Sequence, residues 1–192
     1  MAHYAIYVPG LGDHRSYGQE IAIQLWRIFG LRPRYLPLGW NKKTGFKAKL
    51  NQLMHEVEGL KAAGHSVSLV GISAGASAVL NAYAMSEDIA SIVCVCGKIN
   101  NPQTLKESTF IANPDFKESL EQLNSSLGLL GSKKRGNIMS IHPWRDQTVP
   151  IADTIIEGAM EKTVPGWSHV AGIFSGIIFG FPSISRFIRS RA

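Results

Sequence analysis

Cysteine is nearly absent from this chain of 192 residues, which carries only Cys94 and Cys96. A structural zinc site needs about four Cys or His ligands, and no second cysteine pair is present to complete one. At strand spacing the two side chains point to the same face of one strand. We therefore expect two small core residues of a reduced protein, and neither a metal site nor a disulfide framework.

Apolar runs long enough to cross a membrane are also missing. The strongest candidate, residues 170–181, has 12 residues before Pro182 interrupts it, whereas a spanning helix needs about 20. We expect a buried helix here, with contact to a membrane surface as the lesser alternative. The N-terminus enters an apolar run without a charged segment or cleavage site, which predicts no secretory signal and a cytoplasmic location.

Charge is modest: 18% of the residues are charged, and 20 Lys and Arg against 14 Asp and Glu give a net charge of +6. The basic residues are scattered, apart from residues 133–135 and the tail residues Arg186, Arg189 and Arg191. No nucleic-acid-binding motif accompanies them, so we expect solvated basic residues and no nucleic-acid partner. The length and a hydrophobic content of 45% fit one soluble domain over residues 1–192.

Strand-like apolar runs alternate with helical patterns along the whole chain. Most of the runs lack period-two alternation, as expected for parallel strands that are covered on both faces. The pattern predicts an α/β fold, a three-layer α/β/α sandwich around a mostly parallel sheet of about six strands. The predicted strands lie near residues 3–8, 33–37, 66–72, 91–96, 137–142 and 161–164.

Apolar residues at helical spacing predict the helices between these strands. The first stripe is Ile21, Leu25 and Ile28, and an Ala-rich helix covers 74–85. The segment 98–136 holds a further stripe, which fits either an ordinary crossover helix or a small lid at about 100–135. The second stripe consists of Leu50, Leu53, Met54, Val57 and Leu60. The stripe within 98–136 consists of Phe116, Leu120, Leu123, Leu127 and Leu130.

The segment Gly71-Ile72-Ser73-Ala74-Gly75 stands between a predicted buried strand and the Ala-rich helix. A G-x-S-x-G in that context is typical of a nucleophile elbow. The chain turns sharply at the serine, and the residues two positions away must be small to avoid the turning main chain. The turn projects Oγ above the sheet, at the positive end of a helix dipole.

A serine nucleophile needs a base within hydrogen-bond reach, and the base needs a group that orients it. Three of the six histidines follow predicted strands and so belong to the sheet edge where open α/β sheets place their sites. They are His14, His142 and His169. These residues alone leave the choice among the three open.

The order of these elements resembles a compact member of the α/β-hydrolase superfamily, in which nucleophile, acid and histidine follow one another along the chain. The segment after the fifth strand contains Asp146 followed by Val149-Pro150, a frequent pattern at the acid of that family. The resemblance implies Asp146 as the acid and His169, after the last strand, as the base. One helix at about 151–160 and one short strand fit between them.

The loop after the first strand supports the same resemblance. In the family it supplies one oxyanion-hole amide, and by position that amide belongs to Leu11 here, with Ala74 supplying the other. Pro9 stands where the family commonly has histidine. The pocket residues that we predict beside them are Gly10, Gly12, His14 and Trp144.

The resemblance implies a serine hydrolase that cleaves carboxylic esters through an acyl-enzyme, of the carboxylesterase or lipase kind. It implies a small-molecule ester as the partner and neither a cofactor nor a metal. Thioesterase, lactonase, amidase or peptidase activity would use the same triad. A non-catalytic binder of a ligand or partner is the alternative from another class. The oligomeric state stays open.

Overall fold

The computed structural model describes residues 1–16 and 18–191, and its centre is one six-stranded sheet with every strand pair parallel. The order across the sheet is β2-β1-β3-β4-β5-β6. This confirms the predicted α/β fold with its parallel sheet. The strands are β1 His3–Val8, β2 Leu31–Tyr35, β3 Ser66–Ile72, β4 Ile89–Val95, β5 Ile138–Pro143 and β6 Met160–Val164.

Eight α-helices and three 3₁₀ helices lie between and after the strands in the described part of the chain. The α-helices are α1 Gln19–Ala22, α2 Phe46–Ala62, α3 Gly75–Met85, α4 Glu107–Ala112, α5 Pro114–Gly128, α6 Ser132–Arg135, α7 His169–Ile178 and α8 Phe181–Arg189. The 3₁₀ helices are Ile23–Phe29, Pro102–Thr104 and Ile151–Thr154.

The helices form two layers on opposite faces of the sheet. On one face α2, α3 and α5 share a core with side chains such as Ile6 and Leu69. On the other face the 3₁₀ helix Ile23–Phe29, α7 and α8 share a core with Ala5 and Tyr7. Because successive strand residues point to opposite faces, β1 supplies side chains to both cores.

The carboxyl ends of the central strands meet at one edge of the sheet. Val8 pairs with Gly71, and Ile72 pairs with Val95, so β1, β3 and β4 end together. The loops that follow β1, β3, β5 and β6 start from the same edge. They carry the candidate residues of the first loop, the elbow, Asp146 and His169.

The stripe Ile21, Leu25 and Ile28 does not face the core. Ile21 is 78% exposed and Ile28 is 75% exposed, whereas Ile23 and Trp26 are fully buried. The helix changes to 3₁₀ winding at Ile23, and that winding places residues i and i+3 on one side. The buried side therefore contains Ile23 and Trp26, and the predicted stripe lies outside.

Two further expectations are wrong. The helix expected at about 151–160 is absent: residues 151–159 form only the 3₁₀ turn Ile151–Thr154 and a loop, where Asp153 turns inward to pair with Lys98, and β6 begins at Met160. Cys94 and Cys96 lie in the cores on opposite faces of the sheet, not on one face. Cys96 follows the end of β4 with φ of 49°, so strand alternation no longer applies to it.

The segment between β4 and β5 forms α4, α5 and α6, and α5 packs along α3. Its stripe residues Phe116, Leu120 and Leu123 are buried in the core of that layer. Among the described residues no single helix is long and apolar enough to cross a bilayer. The pair α7 and α8 qualifies only when taken together, with a bend of 56° between the two helices.

Candidate active site

Ser73 lies at a strained turn between β3 and α3, with φ of 51°. Two glycines make the turn possible. A Cβ on Gly71 would lie 2.6 Å from the Gly75 carbonyl oxygen, and one on Gly75 would lie 2.3 Å from the Val8 carbonyl oxygen. Real Cβ atoms do not approach backbone that closely, so both positions require glycine, as the elbow pattern predicts.

The structure brings Ser73, His169 and Asp146 into one hydrogen-bonded chain. His169 Nε2 lies 2.9 Å from Ser73 Oγ. His169 Nδ1 lies 2.7 Å from Asp146 Oδ2. Both lengths are those of ordinary hydrogen bonds, and the order fits a base between a hydroxyl and an orienting carboxylate. Within the described residues, neither His14 nor His142 makes a hydrogen bond to Ser73.

The Asp146 carboxylate is fixed from two directions. Its side chain is fully buried, and Oδ1 accepts hydrogen bonds from the backbone amides of Thr148 at 2.8 Å and Val149 at 2.9 Å. Burial by itself raises the pKa of Asp146, but the hydrogen bonds from His169 and these two amides outweigh it and lower the pKa below its usual value. The carboxylate therefore remains charged beside the imidazole.

His169 is the first residue of α7, directly after the loop that follows β6. The Ser168 side chain caps this helix by accepting the Ala171 amide at 3.3 Å. The cap fixes the start of the helix, and the side chain of His169 is 13% exposed. The imidazole therefore lies between the buried Asp146 carboxylate and the accessible Ser73 hydroxyl, with a hydrogen bond to each.

The loop after β1 approaches the elbow closely. A Cβ on Gly10 would lie 3.0 Å from Ser73 Cβ and 3.6 Å from the Ala74 amide nitrogen. The loop is anchored from behind, because the Trp40 indole donates to the Pro9 carbonyl oxygen at 3.1 Å. The Leu11 and Ala74 amides make no hydrogen bond to any described residue. They are therefore free to bind an oxyanion.

A pocket of about 290 Å³ opens beside Ser73 and His169. Three predicted residues of the first loop, Gly10, Leu11 and Gly12, line it. Sequence reasoning missed the other side of the pocket, which follows from how α1, α7 and the loop around Thr148 pack. The missed lining residues are Arg15, Gln19, Thr148 and Ile173.

Two predicted pocket residues do not reach this pocket. Asp13 accepts the Gly39 amide at 2.6 Å, and this contact turns the next residue, His14, toward a different cavity bounded by residues 37–52. Trp144 packs edge-on against Trp167 with ring centroids 5.8 Å apart, and it is 54% exposed. Loop contacts that have no sequence signature decide both positions.

The residues that line the pocket come from outside the segment 100–135. A separate apolar cleft lies within that segment, between Leu105, Phe110 and Leu120. The predicted lid at about 100–135 thus stays a prediction. The stripe residues of α5 are buried in the core, so this helix has a structural role.

One group of potential metal ligands coincides with the site. A ligand atom from each of Cys96, Asp146 and His169 lies within 4.8 Å of the others. A metal would have to displace the proton between His169 and Asp146. Burial also raises the pKa of the Cys96 thiol well above its usual value, which opposes the thiolate that metal binding needs. The donor set fits the hydrogen-bonded arrangement better than a metal centre.

Solved structures of similar fold cover nearly the whole chain. Est1E from Butyrivibrio proteoclasticus has a TM-score of 0.70 and 13% identity, covering 99% of this chain and 88% of that one. The esterase domain of a Rhodothermus marinus protein has a TM-score of 0.68 and 13% identity, covering 97% and 86%. A monoacylglycerol lipase from Paleococcus ferrophilus has a TM-score of 0.65 and 12% identity, covering 98% and 95%.

No protein-family model and no curated protein matches the sequence. The structural likenesses, at identities of 11–14%, show the fold alone. The chain has the α/β-hydrolase fold, in a small version with six parallel strands, as the sequence resemblance implied.

Proposed function

We propose that this protein is a serine hydrolase that cleaves carboxylic esters through a covalent acyl-enzyme on Ser73. The observation that carries the proposal is the hydrogen-bonded chain from Ser73 Oγ through His169 to the buried carboxylate of Asp146. A binder would gain nothing from this order of groups. Structural neighbours named as esterases and a monoacylglycerol lipase favour esters over the other acyl substrates.

Acylation begins when His169 Nε2 takes the Ser73 proton while Oγ attacks the ester carbonyl carbon. The electron pair of the C=O bond moves to oxygen, and the Leu11 and Ala74 amides bind that oxyanion. Asp146 stabilises the imidazolium that forms. The tetrahedral intermediate collapses as His169 returns the proton to the departing alcohol oxygen, which leaves the acyl group on Ser73.

Deacylation repeats these steps with water as the nucleophile. His169 takes a proton from the water, and the hydroxide attacks the acyl carbon to form a second tetrahedral intermediate. When that intermediate collapses, His169 protonates Ser73 Oγ and the carboxylic acid leaves. The pocket volume of about 290 Å³ is at the lower end for ligand sites, which favours short acyl groups.

The test is hydrolysis of p-nitrophenyl esters from acetate to palmitate, with a thioester of the same acyl group beside each. Ser73→Ala and His169→Ala should each lose at least about 10⁴-fold in kcat, because the groups act as one unit. His14→Ala and His142→Ala are the matched controls and should keep activity. An inactive His142→Ala beside an active His169→Ala would overturn the assignment, and faster thioester cleavage would change the substrate class.

A further inference from the structure

The outer surface of the layer formed by α1, the 3₁₀ helix, α7 and α8 carries many exposed apolar side chains. Two stripes of large side chains lie there: Ile21, Leu25 and Ile28 on the first helix, which are exposed, and Val170, Phe174 and Ile178 on α7, of which Phe174 is half-buried and the other two are exposed. The second stripe has a spacing of four, so its members line up along one side of the helix. Phe179, at the end of α7, is 72% exposed. We call this surface the outer face.

The two stripes run side by side. Both helices begin at the pocket, which Gln19 and Ile173 help to line, and both run toward the opposite edge of the sheet. The Trp26 indole of the first helix donates to the Ile177 carbonyl oxygen of α7 at 3.4 Å. This contact places the two helices next to each other in one layer, and exposed apolar side chains gathered in one layer indicate a binding partner.

The charges around the outer face are positive apart from Glu20. Residues 170–181 contain no charged side chain, and the end of the face farthest from the pocket is bordered by Arg27, Arg186 and Arg189. Arg186 and Arg189 line a cleft together with Phe29. Within 18–30 and 169–191 the sole acidic residue is Glu20.

We propose that the outer face binds the surface of an anionic phospholipid bilayer. Isoleucine and phenylalanine side chains of this exposure insert at the boundary between headgroups and acyl chains, while arginines bind lipid phosphates. A second copy of the chain is a poorer occupant, because each face carries a net positive charge and two such faces repel each other. The proposal does not rest on the proposed function, although it would place the pocket mouth next to a lipid phase.

The experiment is vesicle flotation with Ser73→Ala protein, which removes hydrolysis from the measurement. Vesicles of phosphatidylcholine alone are compared with vesicles that also contain phosphatidylglycerol. We expect binding to the anionic vesicles and its weakening by salt. The triple variant Ile21→Ser/Ile28→Ser/Phe179→Ser should bind about 100-fold more weakly. Arg186→Gln/Arg189→Gln should bind about 30-fold more weakly to anionic vesicles.

The matched control is Met85→Ser/Ile111→Ser/Leu129→Ser, which removes apolar side chains that are equally exposed but lie elsewhere. It should bind vesicles as the parent does, and thermal melts check that every variant is folded. No flotation of the parent with either vesicle overturns the proposal, as does an equal loss in the control. A dimer seen by sedimentation, dissociated by the triple variant, would assign the outer face to a second copy instead.

Discussion

The two helical layers use the same sequence pattern for opposite purposes. In α2 the stripe Leu50, Leu53, Val57 and Leu60 is buried against the sheet. On the other side, the stripe Ile21, Leu25 and Ile28 has the same helical spacing and faces solvent. Apolar periodicity therefore predicts that a helix forms, but the side that it buries depends on its winding and its neighbours.

The layers also differ in what their polar groups do. Near the layer of α2, α3 and α5, buried charged side chains pair with each other. Lys98 is 1% exposed, and its ammonium nitrogen lies 2.5 Å from the Asp153 carboxylate. On the α7 side, the buried Asp146 carboxylate orients His169 toward an accessible serine. Substitution of Lys98 or Asp153 should therefore lower the free energy of unfolding, whereas substitution of Asp146 or His169 should lower the rate of hydrolysis.

The largest effect is expected for Asp146→Asn. The amide cannot hold the imidazole in the productive tautomer, so kcat for ester hydrolysis should fall by about 10⁴-fold. Stability near neutral pH should change little by comparison, because the fold does not depend on the His169 orientation. Steady-state kinetics and urea melts measure the two quantities. A large loss of unfolding free energy in addition to the loss of kcat would contradict the proposed difference between the layers.

Asp153→Asn should have the opposite signature. It leaves the Lys98 ammonium buried without its counter-ion, and breaking such a pair typically costs about 3–5 kcal/mol. Glu121→Gln is the control, since its exposed pair with Lys117 should contribute less than about 1 kcal/mol. Urea unfolding at neutral pH compares the two. Similar losses in both variants would contradict the structural role of Lys98 and Asp153.

The Asp153 carboxyl should also make the stability of the protein depend on pH in the acidic range. Burial raises the pKa of Asp153, but hydrogen bonds from Lys98, Thr104 and Asn101 outweigh it and lower the pKa below its usual value. A carboxyl with a lowered folded-state pKa stabilises the fold above its unfolded pKa of about 4, and this contribution is lost as the pH falls through the folded pKa. The Asn variant should therefore show a shallower acid decline than the parent.

The smallest effect is expected for Leu25→Ala on the exposed stripe, and Leu53→Ala on the buried stripe of α2 is its reference. Leu53→Ala removes a fully buried side chain and should cost about 2–5 kcal/mol of unfolding free energy. Leu25→Ala, on the exposed stripe, should stay within about 0.5 kcal/mol. Matched urea melts of the two variants are sufficient. A cost for Leu25→Ala close to that of Leu53→Ala would mean that the outer face is buried in solution.

Much of the fold was predictable because parallel strands leave a strong signature. The central runs at 3–8 and 66–72 coincide with β1 and β3, since both faces of those strands are buried and most of their residues are apolar. The weaker edge strand β2 lies at Leu31–Tyr35, two residues before its predicted start at 33. The helix that the family resemblance implied at about 151–160 is absent, and the contact of Asp153 with Lys98 is a tertiary feature that the sequence does not reveal.

The candidate site also contains residues that the sequence predicts and residues that it does not. Ser73 and its flanking glycines have a local signature, because backbone geometry alone requires those residues. Asp146 and His169 became assignable only through their order along the chain, since nothing local distinguishes His169 from His142. The positions of His14 and Trp144 were not accessible, because they depend on side-chain contacts between loops that are distant in sequence.

If Ser73 is a nucleophile that His169 activates, a reagent specific for activated serines should modify it covalently. Wild-type protein is incubated with a fluorophosphonate, and the adduct is located by mass spectrometry of the intact protein and of its peptides. The account predicts one adduct, on Ser73, that is absent from Ser73→Ala and forms far more slowly in His169→Ala. Labelling of Ser73→Ala to the same extent, or no adduct on folded wild-type protein, would contradict it.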